Sequence, residues 1–240
     1  MDGTFIELGI RKEASMLNMH SLGATINAVN EAALFSARVS EPTAKQISEF
    51  IAGRQGLAHS YWGLFAPLDD EVKKPFTLFT GETIRSDASA RHILGEESLR
   101  ILKVLGDPSP YVQQAIERAQ ENFGQRLMDN KERGDGMGTY CCGNCTVAYW
   151  RALTTHWIED AEERLEMGMK DLKNERQAGK WRRFPFYYTV LCLGELGEDI
   201  AGEEIRYIQP ACERTLKFLR ANDAHHQQKS AILGRILETV

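Results

Sequence analysis

The sequence has no long hydrophobic run. A membrane-spanning helix needs about 20 consecutive apolar residues, and no stretch of this chain approaches that length. The first twenty residues mix acidic and basic side chains with the apolar ones, whereas a secretory signal peptide has an uninterrupted apolar core. We therefore expect a cytoplasmic protein that has no membrane partner.

Basic charge is not in excess either. Lysine and arginine together number 29 and aspartate and glutamate 34, which gives a net charge of −5 and a pI near 5.8. Such a chain offers no general attraction to a phosphate backbone, so nucleic acid is not an expected partner. The 42% hydrophobic and 26% charged residues are ordinary for a globular protein, and we expect one domain over residues 1–240.

The signatures of the familiar enzyme classes are also missing. The chain contains no glycine-rich phosphate loop, no Gly-x-Ser-x-Gly elbow and no His-Glu-x-x-His pair. The five cysteines are an odd number, and three of them, Cys141, Cys142 and Cys145, lie within five residues. A chain of this length does not need disulfides for stability, so free thiols or a metal site are the better interpretation.

Helical spacing of apolar residues dominates, and no window shows the sustained alternation of a half-buried strand. The pattern predicts an all-α fold of about nine or ten helices joined by short connections. Pro210 is expected to kink or interrupt the ninth. The predicted helices cover residues 5–17, 20–38, 42–54, 86–105, 109–130, 142–156, 158–176, 185–197, 201–221 and 226–238.

One connection is longer than the rest. Residues 57–85 are rich in aromatic side chains and too long for a passive link between helices. Long structured loops often carry function or cover a site. We therefore expect this loop to be structured and close to a functional region.

Three segments repeat one order of events, namely a helix, a basic or amide-bearing end, a glycine, an aromatic residue and a second helix. They are residues 50–63, 126–140 and 171–188. Through them, and above all through Gln177-Ala-Gly179-Lys-Trp181, the chain resembles the α/α-repeat proteins of the terpene-cyclase and protein-prenyltransferase type. The resemblance implies helical hairpins in an open arc or partial α/α toroid, or a homo-oligomer that completes the ring.

The resemblance does not extend to chemistry. The chain has no Asp-x-Asp-Asp motif of the cyclases and no Asp-x-Cys followed by a histidine as in the prenyltransferase zinc site. The resemblance therefore implies architecture only.

The sharpest local motif is Cys142-Gly-Asn-Cys145, which begins a predicted helix. A thiol at a helix N-terminus is biased toward thiolate, which favours metal binding or redox reactivity. One C-x-x-C is half of a structural zinc site. The alternative is that small residues are needed where a helix start packs closely against its neighbour.

A second motif places His92 one helical turn before Glu96. A histidine and a carboxylate at this spacing can bind one metal ion or share a proton. If the fold brings them to the cysteines, a mixed zinc site of Cys141, Cys142, Cys145, His92 and Glu96 results. The alternative is a hydrogen-bonded histidine with Glu96 and Glu97 in solvent.

A third motif mixes two arginines with aromatic residues in 179–189. Arg182 and Arg183 can hold a carboxylate or phosphate beside an aromatic wall, or else the aromatic residues are core and the arginines surface. In α/α repeats the glycine-aromatic turns gather at one end of the fold. This places the candidate ligand-binding residues together: Tyr61, Trp62, Arg85, Trp181, Arg182, Tyr187 and Tyr188.

Three functions fit these motifs. The first is binding of a small molecule or peptide in a concave, aromatic-rimmed cavity, with a metal- or thiol-dependent reaction as an option. The second is a non-catalytic scaffold for protein interaction, and the third is a redox or metal-sensing module centred on the cysteines. Whether the chain is an enzyme is left open by the sequence.

Overall fold

The computed structural model describes residues 16–132 and 137–239. This part of the chain contains eight helices and two short antiparallel hairpins, which confirms the all-α fold. The predicted helix at 5–17 lies almost wholly outside the described residues, and the toroid stays a prediction. The helices are α1 (Leu22–Leu34), α2 (Glu41–Ala52), α3 (Asp87–Leu105), α4 (Pro110–Glu132), α5 (Gly143–Leu153), α6 (Ala161–Asn174), α7 (Phe186–Phe218) and α8 (His226–Glu238). The hairpins pair β1 (Phe76–Thr77) with β2 (Thr83–Ile84), and β3 (Arg176–Gln177) with β4 (Lys180–Trp181).

Helix α3 lies at the centre of the core. It packs against α1, α2, α4 and α5, and its residues from His92 to Leu102 are all buried. The first turn of α3 is capped by Ser86, whose hydroxyl accepts a hydrogen bond from the backbone N–H of Ser89. Since α3 is covered on all sides, polar side chains on it must find partners inside the protein or form a site.

The long connection between α2 and α3 reaches across the fold through two carboxylates. Glu71 accepts hydrogen bonds from the backbone N–H groups of Leu22 and Gly23, at 3.0 and 2.9 Å, at the start of α1. Glu82 accepts from the N–H groups of Tyr187 and Tyr188, at 2.7 and 3.1 Å, at the start of α7. Acidic groups are favoured at helix N-termini, so this loop stabilises two helices.

Helix α7 is interrupted at Gly197 and not at Pro210, where the sequence predicted a kink. Gly197 has φ 72° and ψ −176°, a conformation that is essentially restricted to glycine, whereas the helix continues through Pro210. The break falls between the predicted segments 185–197 and 201–221.

None of the helices within the described ranges combines the length and apolar character that a membrane crossing requires.

Candidate metal centre

The packing of α3 against α5 brings together two motifs that are about 50 residues apart in sequence. His92 lies on α3, Cys141 and Cys142 immediately precede α5, and Cys145 lies in its first turn. One ligand atom from each of His92, Cys141 and Cys145 lies within 4.8 Å of the other two. Imidazole nitrogen and thiolate sulfur are the donors that zinc prefers in proteins, so this group can hold a metal ion.

Cys142 borders the same group. Its Sγ lies 3.4 Å from the Sγ of Cys145 and 3.4 Å from the Oγ of Ser89 on α3. Two thiolates on one tetrahedral zinc, with Zn–S bonds of about 2.3 Å, lie roughly 3.8 Å apart. Cys142 and Cys145 are therefore about as far apart as two metal-bound thiolates, but Cys142 lies outside the group of His92, Cys141 and Cys145 that converges within 4.8 Å.

Aromatic residues fix the ring of His92. The hydroxyl of Tyr140 lies 3.3 Å from Nδ1, and the ring of Tyr61 lies 3.6 Å from the imidazole centroid. In the described part of the chain, Nε2 of His92 is buried and has no hydrogen-bond partner. Burial lowers the pKa of His92 to about 4, so the imidazole is neutral near pH 7. A neutral imidazole with one ring nitrogen held by a neighbour is the usual state of a metal-binding histidine.

The three thiols differ in the direction of their pKa shifts. Hydrogen bonding with Cys141 and Cys145 lowers the pKa of the Cys142 thiol. Hydrogen bonding with Cys141 and Cys142, together with burial, raises the pKa of the Cys145 thiol. Hydrogen bonding with Cys142 likewise raises the pKa of Cys141. Without a cation the cluster favours a single thiolate, and a bound metal ion would favour further deprotonation.

Glu96 lies beside the cluster but is not one of the three grouped ligands. It is fully buried, and neither carboxylate oxygen has a hydrogen-bond partner among residues 16–132 and 137–239. Burial, followed by the charges of Cys141, Glu97 and Cys142, raises its pKa well above the usual value. The solvent exposure weighed for Glu96 and Glu97 is wrong, because α3 is covered on all sides.

A cleft of about 610 Å³ opens at the cysteines. Its volume falls within the range of small-molecule sites. Cys141 and Cys142 are exposed to it, while Cys145 and His92 lie beneath them. The residues that line the cleft come from the segment before α5, from α5 and α6, and from the turn before α7: Thr139, Cys141, Cys142, Gly143, Thr146, Asp171, Asn174, Glu175, Arg183 and Phe184.

The candidate ligand-binding residues are distributed over separate regions. Tyr61 and Trp62 pack against His92, with ring centroids 3.6 and 4.8 Å from the imidazole. Arg182 lies at the edge of the cleft, where its Nε donates to Glu175 at 3.0 Å. Arg85 is exposed just before α3.

The others have structural contacts. Trp181 is buried and donates from Nε1 to Glu204 at 2.8 Å. Tyr188 is inaccessible and donates its hydroxyl to Glu97, while Tyr187 lines a different cavity near Phe218. Trp181 and Tyr188 therefore make contacts in the core and are not among the residues that line the cleft at the cysteines, and their part in ligand binding stays a prediction.

Sequence reasoning missed the residues that hold the site in place. Tyr140 and Ser89 contact His92 and Cys142, and their position next to the motif residues was the only available signal. It also missed a buried network of Glu97 with Asn30 and Arg151, which come from α1 and α5. Polar residues in amphipathic helices look solvent-exposed in sequence, so this network left no signal.

The fold and the cluster define an all-α protein with a partly buried Cys/His group that can hold a metal ion. Comparison with models of known protein families, with curated proteins and with solved structures finds no match to this chain.

Proposed function

We propose that this chain is a zinc-dependent enzyme that binds a small molecule in the cleft beside Cys141 and Cys142. The observation that carries the proposal is the convergence of His92, Cys141 and Cys145 to within 4.8 Å. The buried, unpartnered Nε2 of His92, as far as the described residues go, supports it. An isolated buried polar atom costs free energy, and a metal bond would remove that cost.

The donor set favours zinc over harder cations. Magnesium and calcium select oxygen ligands, whereas two thiolates and one imidazole suit zinc. Since the hydroxyl of Tyr140 lies beside Nδ1 and Nε2 has no partner among the described residues, we assign Nε2 of His92 as the metal-binding nitrogen. Three protein ligands and one open position are typical of catalytic zinc, while structural zinc has four protein ligands.

The exposed cysteines and the adjoining cleft support the catalytic alternative. A substrate in the cleft would reach the metal from the side of Cys141, since His92 and Cys145 are buried behind it. Zinc in such a position supplies Lewis-acid chemistry. Tyr140 orients the imidazole of His92, and the aromatic rings of Tyr61 and Trp62 exclude water from its face.

Metal content tests this proposal. We expect one zinc per chain after purification without chelator, measured by elemental analysis, and recovery of that zinc after chelation and reloading. Cys145→Ser and His92→Ala should each weaken zinc affinity at least about tenfold, measured by competition with a chromophoric chelator. Cys212→Ser is the matched control, because Cys212 is also a buried cysteine but lies on α7.

Two results would contradict the proposal. One is a wild-type protein that cannot be loaded with zinc, cobalt or iron. The other is a Cys145→Ser variant that binds zinc as tightly as the Cys212→Ser control.

A second candidate function is a thiol-based redox module, which the 3.4 Å between the Sγ atoms of Cys142 and Cys145 favours. Hydrogen peroxide would oxidise the two thiols to a disulfide and be reduced to two water molecules. Mass spectrometry after peroxide treatment should then show a loss of two hydrogens that thioredoxin or dithiothreitol reverses. Protection of these thiols by bound zinc would favour the metal function over the redox function.

A further inference from the structure

We propose that Arg183 makes the cleft selective for small molecules that carry a carboxylate. This inference rests on the proposed function, because it takes the cleft as the substrate-binding site.

Close packing places Arg183 at the mouth of the candidate metal centre. A Cβ atom at Gly143 would clash with the backbone oxygen of Arg183, so only glycine allows the turn before α7 to lie against the start of α5. The turn is held further by a hydrogen bond of 2.9 Å from the N–H of Arg182 to the backbone oxygen of Glu175. Arg183 itself has φ 60° and lines the cleft.

The charges of the cleft are unevenly matched. Glu175 accepts a hydrogen bond from Nε of Arg182 at 3.0 Å, and Asp171 accepts one from the hydroxyl of Thr139 at 3.4 Å. Within the ranges that the structure covers, Arg183 forms neither an ion pair nor a side-chain hydrogen bond. Glu175 is therefore paired with a cation and Asp171 only with a neutral hydroxyl, while the exposed guanidinium of Arg183 can meet a ligand.

Thr146 supplies an independent observation. It lines the cleft from the first turn of α5 and is 1% exposed, yet its Oγ1 has no hydrogen-bond partner in the described part of the protein. A buried hydroxyl without a partner is costly, and an acceptor on a bound molecule would satisfy it. Arg183 and Thr146 are thus two donors in one cleft that both lack an acceptor.

A carboxylate fits these donors better than a phosphate dianion. The planar guanidinium binds a carboxylate through two parallel hydrogen bonds. A carboxylate brings one negative charge to Arg183, whereas a phosphate dianion brings two and would be repelled more strongly by Asp171 and Glu175. The half-buried ring of Phe184, stacked on Trp150 at 5.4 Å between centroids, offers an apolar wall for the rest of the molecule.

The test uses three probes that share a phenyl ring: benzoate, the neutral benzamide of the same shape, and phenyl phosphate. Calorimetric titration of the full, zinc-loaded chain should show benzoate binding at least about tenfold more tightly than either other probe. Arg183→Gln should abolish that difference. Arg182→Gln is the matched control and should keep it, because Arg182 is the neighbouring arginine and already pairs with Glu175.

Thr146→Val gives a second readout that a structural role would not produce. Removal of the unpartnered hydroxyl should leave the ligand-free protein as stable as the wild type or more so, while benzoate affinity falls several-fold. A stability change with unaltered benzoate affinity would assign the hydroxyl to packing only, and would overturn its part in the proposal.

The outcomes separate this inference from the proposed function, since zinc is measured on every sample. Stoichiometric zinc with no preference for benzoate overturns the inference and leaves the metal centre intact. Absence of zinc, together with benzoate binding that depends on Arg183, overturns the metal proposal and upholds the selectivity of the cleft. Equal benzoate affinity in the Arg183→Gln and Arg182→Gln variants overturns the inference in either case.

Discussion

Glu96 and Glu97 are neighbours on α3 and are both fully buried, but they lie in opposite electrostatic environments. Glu97 accepts hydrogen bonds from Arg151, from Nε of Arg100 at 3.0 Å and from Nδ2 of Asn30 at 3.1 Å. Burial alone would raise the pKa of Glu97, but the two guanidinium groups lower it to about 2. Glu96 faces the cysteines, and its pKa is raised well above the usual value.

The two glutamates differ in the number of their partners, and this difference distinguishes a carboxylate that stabilises the fold from one that is a candidate for a binding site. Four elements supply partners to Glu97: α1, α3, α5 and α7. Arg151 in turn is held by Glu195, with Nε 2.6 Å from one carboxylate oxygen. A buried charge with this many partners fixes the packing of the helices. The buried carboxyl of Glu96 has no hydrogen-bond partner in the described residues that would tie helices together, and its place beside three cysteines agrees with the proposed metal site.

Replacement of Glu96 or Glu97 by methionine should change the free energy of unfolding in opposite directions. The change for Glu97→Met should be the larger. This variant leaves Arg151 and Arg100 buried with fewer acceptors. We expect a loss of about 3–5 kcal/mol in the free energy of unfolding, measured by urea denaturation with chelator present. A loss below about 1 kcal/mol would contradict the structural role of the network.

The contribution of Glu97 to the free energy of unfolding should depend on pH in the acidic range. Since its folded pKa is about 2 and its unfolded value near 4.5, its stabilising contribution is present above pH 4.5 and lost as the pH falls toward 2. The difference in stability between wild type and Glu97→Gln should therefore shrink by about 3 kcal/mol over this range. The groups that face Glu97 are Arg100, Arg151, Tyr188 and Glu96, and the arginines stay charged throughout.

A difference that does not change with pH would show that Glu97 is not an ionised partner of these arginines. Asp129→Asn, at a partly exposed acid on α4, is a control for the general effect of removing a carboxylate.

Glu96→Met should have the smallest effect and the opposite sign. It should stabilise the metal-free protein by about 1–2 kcal/mol near pH 8, since it removes an unpartnered buried carboxyl. The raised folded pKa means that Glu96 contributes stability below pH 4.5, and that this stability is lost as the pH rises. The gain from Glu96→Met should therefore grow with pH in urea titrations, and a gain that falls with pH would contradict the assigned environment.

Some of the site was predictable from local patterns. The clustering of Cys141, Cys142 and Cys145 at a helix start, and the one-turn spacing of His92 and Glu96, identified the residues that converge. The all-α fold followed from the spacing of apolar residues, because residues three or four positions apart lie on the same face of a helix. The aromatic and arginine residues of 179–189 were less informative, because composition does not tell which face of α7 enters the core. Tyr188 donates to Glu97, while Arg183 lines the cleft.

The sequence by itself determined the helices, the thiol cluster at the start of α5 and the histidine on α3, because these depend on local propensity and spacing. Only the tertiary structure decided that α3 and α5 pack together, and that this contact places His92 over the cysteines. The tertiary structure also decided that Glu97 pairs with two arginines, whereas Glu96 has no hydrogen-bond partner within the described residues. Glu96 and Glu97 point to different sides of α3, and the groups that each one meets come from segments distant in the sequence. Local sequence patterns therefore do not predict their partners.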